Sequence, residues 1–97
     1  MTNIYIVEGR TGQYEDKSSW IVGAFKDKNK ATTFADDCNK EAQRIEKFLH
    51  KHDMQPCQIY CIEDEKLEKE AKHKYDSDFQ MDTNGTRYRM YSVEMKK

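Results

Sequence analysis

The sequence contains one proline, three cysteines and no long apolar run, and each scarcity excludes a class of protein. An odd number of cysteines and an N-terminus without a secretion-signal pattern are not typical of a disulfide framework. We therefore expect reduced thiols and a cytoplasmic location. No apolar stretch approaches the ~20 residues that span a bilayer, so we also expect no membrane partner.

The sequence also lacks an excess of charge of either sign, because 17 basic and 18 acidic residues leave a net charge of -1. This balance provides neither the positive field that attracts nucleic acid nor the negative field of a DNA mimic. Nucleic acid is therefore not a favoured partner. A chain of 97 residues has room for one hydrophobic core, so we expect one domain over residues 1–97.

The most regular feature that is present is a long amphipathic helix, predicted over residues 27–52. Its apolar residues recur in steps of three, four and seven, which places them on one stripe of the helix. These residues are Ala31, Phe34, Ala35, Cys38, Ala42, Ile45, Phe48 and Leu49. Asp27 is the predicted N-cap, and Pro56 follows the helix as a stop signal. Such a stripe requires a sheet to pack against.

Three segments rich in β-branched and aromatic residues predict strands, over residues 3–7, 20–25 and 86–95. The first two strands are separated by a glycine-containing turn and should form an antiparallel hairpin. Strict alternation along the second strand places Trp20 and Phe25 on opposite faces of the sheet.

Two further segments lie between the long helix and the last strand. Residues 57–62 are predicted to form either a short strand or a helical turn. Residues 63–74 should form a charged, solvated helix, because acid-before-base pairs recur four residues apart. We therefore predict an α+β fold, in which an antiparallel sheet of three or four strands carries the long helix across one face. The charged helix is expected at an edge or on the other face.

Four potential zinc ligands occur within one short segment. They are His50, His52, Cys57 and Cys61. The cysteine spacing differs from the usual zinc knuckle, and histidines two residues apart on a helix point in different directions. We predict no metal site and no cofactor. A zinc-stabilised domain built on these residues, with nucleic acid as its potential ligand, is kept as an alternative.

Signals for catalysis and for phosphate binding are weak. Residues 9–12 follow a strand but lead into another strand, whereas a phosphate loop leads into a helix with free amides. No serine or cysteine has a base and an orienting group at a recognisable spacing, so we predict that the protein is not an enzyme. A second alternative is a protein that binds a signalling nucleotide through this loop with Arg87 and Arg89.

Aromatic residues, methionine and arginine are abundant in the predicted strands and in the loop after the first strand, and these residue types are enriched at protein interfaces. The predicted partner-binding residues are Arg10, Tyr14, Asp16, Trp20, Arg87, Tyr88, Arg89 and Tyr91. The same residues could instead stabilise an open face of a small sheet. If the second face of the sheet is uncovered, we expect it to be either a homodimer surface or a docking site for another protein.

Two regions of the chain resemble a set of small proteins encoded by tailed phages and prophages. The first comprises residues 5–16 and 20–25, which read YIVEGRTGQYED and WIVGAF. The second comprises residues 75–82 and 85–88, which include FQMD and GTRY. The resemblance implies an accessory phage protein that binds and inhibits or modulates a host protein. A host defence system, such as a CRISPR effector or a restriction enzyme, is one such target.

Overall fold

The computed structural model describes residues 2–12, 17–82 and 85–95, and it contains a three-stranded antiparallel sheet, one long helix and two short helices. The elements in chain order are β1 (Thr2–Thr11), β2 (Ser18–Phe25), α1 (Lys28–Lys51), a 3₁₀ helix (Pro56–Cys61), α2 (Glu65–Glu70) and β3 (Thr86–Met95). The strand order is β2-β1-β3, with β1 antiparallel to both neighbours. The predicted α+β fold is confirmed, and α1 and β3 begin and end within one residue of their predicted positions.

Helix α1 packs through the stripe that its sequence predicts. It begins after Asp27, whose carboxylate accepts the backbone N–H of Asn29 at 2.8 Å and that of Lys30 at 3.3 Å. The buried residues of the helix are Ala31, Ala35, Cys38, Glu41, Ala42, Ile45 and Leu49. The one charged residue among them, Glu41, is a feature that the apolar periodicity did not predict.

A β-bulge in the hairpin corrects the predicted faces of β2. Val7 pairs with Gly23 but Glu8 pairs with Ile21, so Val22 is an extra residue on β2. The extra residue shifts the alternation, and Trp20 and Phe25 consequently lie on the same side of the sheet, facing α1. The prediction that they lie on opposite faces was wrong.

The hydrophobic core has two parts along α1. The first lies between α1 and the sheet, and its fully buried members are Val7, Ala31, Ala35, Cys38, Ala42 and Tyr88. The second contains no strand residue: Ile45 and Leu49 of α1 pack with Ala71 and Met81 from the segment that connects α1 to β3. The connecting segment therefore covers the end of the helix that the sheet does not reach.

The connecting segment decides between two predictions and corrects a third. Of the two structures predicted for residues 57–62, the helical turn is present, as the 3₁₀ helix Pro56–Cys61, and the strand is not. Proline stands at the start of this helix, where no backbone N–H is needed. The second helix ends at Glu70 rather than near residue 74, because the chain turns inward to bury Ala71 and His73. None of the helices in the described residues is long and apolar enough to cross a membrane.

Glu41 and Arg44 attach the end of α2 to α1. The Arg44 guanidinium donates to the Glu41 carboxylate, to the carbonyl of Glu70 at 2.8 Å and to that of Lys72 at 3.1 Å. Glu41 also accepts the backbone N–H of Lys74 at 3.3 Å. The hydrogen bond from Arg44 lowers the pKa of Glu41 below its ordinary value of 4.5, although burial acts in the opposite direction. The charged form of Glu41 thus stabilises the folded state.

We expect this attachment to weaken at low pH. A carboxyl whose pKa is lower in the folded state contributes stability above its unfolded pKa and loses it as the pH falls through the folded pKa. Glu41→Gln should therefore cost on the order of 1 kcal/mol at pH 7, and the cost should shrink at ~pH 3. Urea unfolding of both proteins at the two pH values measures it. Asp36→Asn, at an exposed position of α1, is the control, and an equal pH dependence of both variants would contradict the assignment.

Candidate functional site

The sheet has a face that points away from α1. This outer face consists of Ile4, Ile6, Glu8 and Arg10 from β1, Ser19, Ile21 and Ala24 from β2, and Arg87, Arg89, Tyr91 and Val93 from β3. None of these residues belongs to either core cluster of the described chain. Ile21 is 61% exposed and Val93 is 45% exposed, so large apolar side chains on this face are open to solvent.

The strand register divides the outer face into an apolar half and a charged half. In the apolar half, Ile4 pairs with Val93, and Ile6 lies between Tyr91 and Ala24. The charged half follows along the same strands. There, Glu8 lies between Ile21 and Arg89, and Arg10 lies between Ser19 and Arg87.

The charged half contains one carboxylate, that of Glu8, which lies close to two of the three arginines. Glu8 Oε1 lies 3.1 Å from Arg89 Nε and 3.9 Å from Arg10 Nε. The Arg89 guanidinium also lies 5.5 Å from the centroid of the Tyr91 ring, within the range of a cation–π contact. Arg87 forms no ion pair with any residue in the described ranges.

The predicted partner-binding residues divide between the two faces. Arg10, Arg87, Arg89 and Tyr91 lie together on the outer face, whereas Trp20 and Tyr88 face α1. Tyr88 is only 5% exposed. Tyr14 and Asp16 lie outside the described residues. The four residues on the outer face remain a predicted binding site. Trp20 and Tyr88 instead form hydrogen bonds within the protein.

Trp20 and Tyr88 share a buried hydrogen-bond acceptor that the sequence did not reveal. Trp20 Nε1 donates to Asp76 Oδ2 at 2.9 Å, and the Tyr88 hydroxyl donates to the same oxygen at 2.7 Å. The other carboxylate oxygen accepts the backbone N–H of Asp78 at 3.0 Å. Asp76 is 4% exposed, so this carboxylate fastens the connecting segment to the sheet. The only local signal was the Asp-x-Asp spacing, which suits a side-chain-capped turn.

His73 belongs to the same buried cluster, and both of its ring nitrogens form hydrogen bonds there. Its Nδ1 accepts the backbone N–H groups of Tyr75 at 3.1 Å and Asp76 at 3.0 Å. The ring proton therefore resides on Nε2, which donates to the Cys38 carbonyl at 3.0 Å. Burial raises the pKa of the Cys38 thiol to about 12. The pKa of the Tyr88 hydroxyl is also raised, mainly by burial and to a lesser extent by its hydrogen bond to Asp76. Burial therefore favours the neutral form of both groups near neutral pH.

The free edge of β3 is also partly closed. The Asn39 side chain accepts the backbone N–H of Tyr88 at 2.7 Å and donates to its carbonyl at 3.0 Å. This pair of bonds imitates a neighbouring strand at that point of the edge. An added strand would have to displace Asn39, which leaves the outer face as the more accessible surface of β3.

The described residues of the zinc alternative do not form a metal site. His50 is exposed, while the His52 ring packs on Phe48 with centroids 4.6 Å apart. Cys61 is exposed, and the side chain of Cys57 lies outside what the structure describes. Within the described side chains, no group of three or more His, Cys, Asp or Glu could hold a metal ion.

The loop of the nucleotide alternative is shorter than predicted. Gly9 belongs to β1 and pairs with Trp20, so the turn predicted over residues 9–19 was wrong for residues 9–11 and 18–19, which belong to β1 and β2. Residues 13–16 of this turn lie outside the described residues. Within residues 9–12, only Gly12 has a positive φ, of 86°.

No family model, curated protein or solved structure matches this chain. The surface of the protein is therefore the basis for proposing a function. The outer face is the surface on which exposed apolar residues and unbalanced charge occur together, and we treat it as the candidate site.

Proposed function

We propose that the protein is a non-enzymatic binding module, an accessory protein of phage origin that binds and inhibits or modulates a host protein through its outer face. The observation that carries the proposal is the uncovered apolar and arginine-containing surface, with Ile21 61% and Val93 45% exposed. The phage origin and the host target rest on the resemblance of residues 5–16, 20–25, 75–82 and 85–88. A component of a CRISPR or restriction system is a target of the expected kind, reached in the host cytoplasm.

The composition of the outer face supports this use. Three strands spaced ~4.8 Å apart, with about ten residues at ~3.3 Å per residue, cover roughly 14 by 33 Å, or ~450 Å², of which about half is apolar. Tyrosine and arginine, both present here, are the residues that most often dominate binding energy at interfaces.

A non-enzymatic role is supported by how the titratable groups are used. Cys38, His73 and Tyr88 are buried and hydrogen-bonded or raised in pKa, which suits a structural role. On the outer face, Glu8 is engaged by two arginines. A general base would instead require a carboxylate or imidazole free to approach a substrate.

Affinity purification from bacterial lysate tests the proposal. We expect the protein to retain one stoichiometric host protein, and Arg87→Glu combined with Arg89→Glu should abolish its retention. Both arginines are exposed, so the double variant should fold normally. Loss of a charge-assisted contact at each site would weaken binding by about tenfold or more.

The matched control makes the same change of charge elsewhere. Lys30→Glu combined with Lys40→Glu alters two exposed positions of α1, which lies on the opposite side of the sheet. This variant should retain the partner. Equal retention by both double variants would show that the outer face is not the binding site.

A further inference from the structure

We infer that the outer face recognises an acidic protein surface, in which carboxylates of the partner approach the Arg10 and Arg87 pair while apolar partner residues cover Ile6, Tyr91 and Val93. This inference rests on the proposed function, because it assigns the chemistry of the partner that the same face binds.

The first step is the charge balance of the outer face. It carries three guanidinium groups and one carboxylate, and that carboxylate already lies 3.1 Å from Arg89 and 3.9 Å from Arg10. Arg10 and Arg87 are direct partners in the register of β1 and β3. Like charges placed opposite each other destabilise a sheet, so the free protein bears a cost that a bound anion would relieve.

The second step separates a protein partner from nucleic acid. The net charge of the whole chain is -1, so the protein has no overall positive field, and the guanidinium groups of the outer face lie in one half of it. The other half presents Ile4, Ile6, Ala24 and Val93, which offer nothing to a phosphate backbone. A nucleic acid needs a continuous basic track, whereas a short acidic cluster beside an apolar ridge fits both halves.

The third step concerns a second copy of the chain, which the outer face does not suit. If two outer faces stack with parallel strands, the arginine halves meet each other. If they stack with antiparallel strands, Arg10, Arg87 and Arg89 are buried against the apolar half of the partner. Each face contributes three guanidinium groups and one carboxylate, so either arrangement buries six guanidinium groups with only two carboxylates.

The test uses a defined probe and nuclear magnetic resonance. The probe is a synthetic peptide of alternating glutamate and valine, titrated against the isotope-labelled protein, and a peptide with glutamine in place of glutamate is its control. We expect saturable shifts of the Arg10 and Arg87 side-chain Nε–H signals with the glutamate peptide. Arg87→Gln, or an increase in NaCl from ~0.1 to ~0.5 M, should weaken binding by about tenfold.

A second readout needs no ligand. Because Arg87 faces Arg10 across the strands, Arg87→Thr should raise the melting temperature of the free protein while it weakens peptide binding. Equal binding of both peptides, tighter binding of oligodeoxythymidine, or concentration-dependent dimerisation that Arg87→Glu abolishes would each overturn the inference.

Failure of the acidic-surface inference would not by itself contradict the proposed function. A host protein that is retained in ~0.5 M NaCl and by Arg10→Gln with Arg87→Gln, but lost on Ile21→Ser with Val93→Ser, would identify the outer face as the site. The partner would then be bound through apolar contacts, and the acidic surface inferred here would be wrong. Binding of the glutamate peptide without any host partner would support the inferred chemistry and count against the proposed function.

Discussion

Replacing Asp76 with alanine is expected to lower the free energy of unfolding by about 3–5 kcal/mol. The substitution leaves Trp20 Nε1 and the Tyr88 hydroxyl without the carboxylate oxygen that both now reach, at 2.9 and 2.7 Å. Each donor that remains buried without an acceptor costs roughly 1–3 kcal/mol. Urea unfolding followed by fluorescence measures the loss directly, because the chain has one tryptophan, which is a member of the network.

Two comparisons separate this network from a general effect of mutation. Asp78→Ala alters an exposed carboxyl two residues away and should change stability by no more than about 0.5 kcal/mol. In a Tyr88→Phe background, Asp76→Ala should cost less than in the natural chain, because the tyrosine hydroxyl is no longer present to lose its acceptor. Strict additivity of the two changes would mean that the shared oxygen is not the source of the stability.

The parts of the fold that the sequence predicts are those governed by local chemistry. Helix α1 is defined by its apolar period and by the Asp27 cap, both of which act within a few residues. Strand β3 follows simple alternation, so Tyr88 is buried while Arg87 and Arg89 are exposed, as the pattern indicates. These elements contain no insertion that would break the period.

The parts that sequence reasoning missed depend on partners far along the chain. The bulge at Val22 arises from the pairing of two strands, and no pattern within β2 marks it. Asp76 and Trp20 are 56 residues apart, and Arg44 and Lys72 are 28 apart. A polar residue in a connecting segment has the same local sequence signature whether it is solvated or buried, so its role depends on the tertiary fold.

The candidate site shows the same division. Alternation placed Arg87, Arg89 and Tyr91 on one face, but it could not establish that this face is uncovered. Only the docking of the connecting segment beside α1, rather than over the outer face, decides that. Trp20 lies on the opposite face from the exposed arginines with which it was grouped, because interface propensity does not distinguish an aromatic residue on one face of a sheet from one on the other.

Gly9→Ala should be the second strongly destabilising substitution, by about 2–4 kcal/mol, for a steric reason. An ideal Cβ at Gly9 would lie 2.7 Å from two ring carbons of Trp20, closer than real contacts allow. The indole cannot simply withdraw, because its Nε1 is bonded to Asp76. Either the strands separate or that hydrogen bond is lost, and thermal unfolding of the variant would record the cost.

Two further variants test whether the clash between the added Cβ and the Trp20 ring is the cause. Gly23→Ala adds the same methyl group to β2, where the nearest atom is 3.3 Å away at the edge of the Phe25 ring, so its cost should be much smaller. Removing the indole with Trp20→Leu should make Gly9→Ala nearly neutral, since no ring atom then occupies the space of the Cβ. If Gly9→Ala remains costly without the indole, the effect comes from the backbone of β1. Trp20 would then not be the reason that this strand carries glycine at position 9.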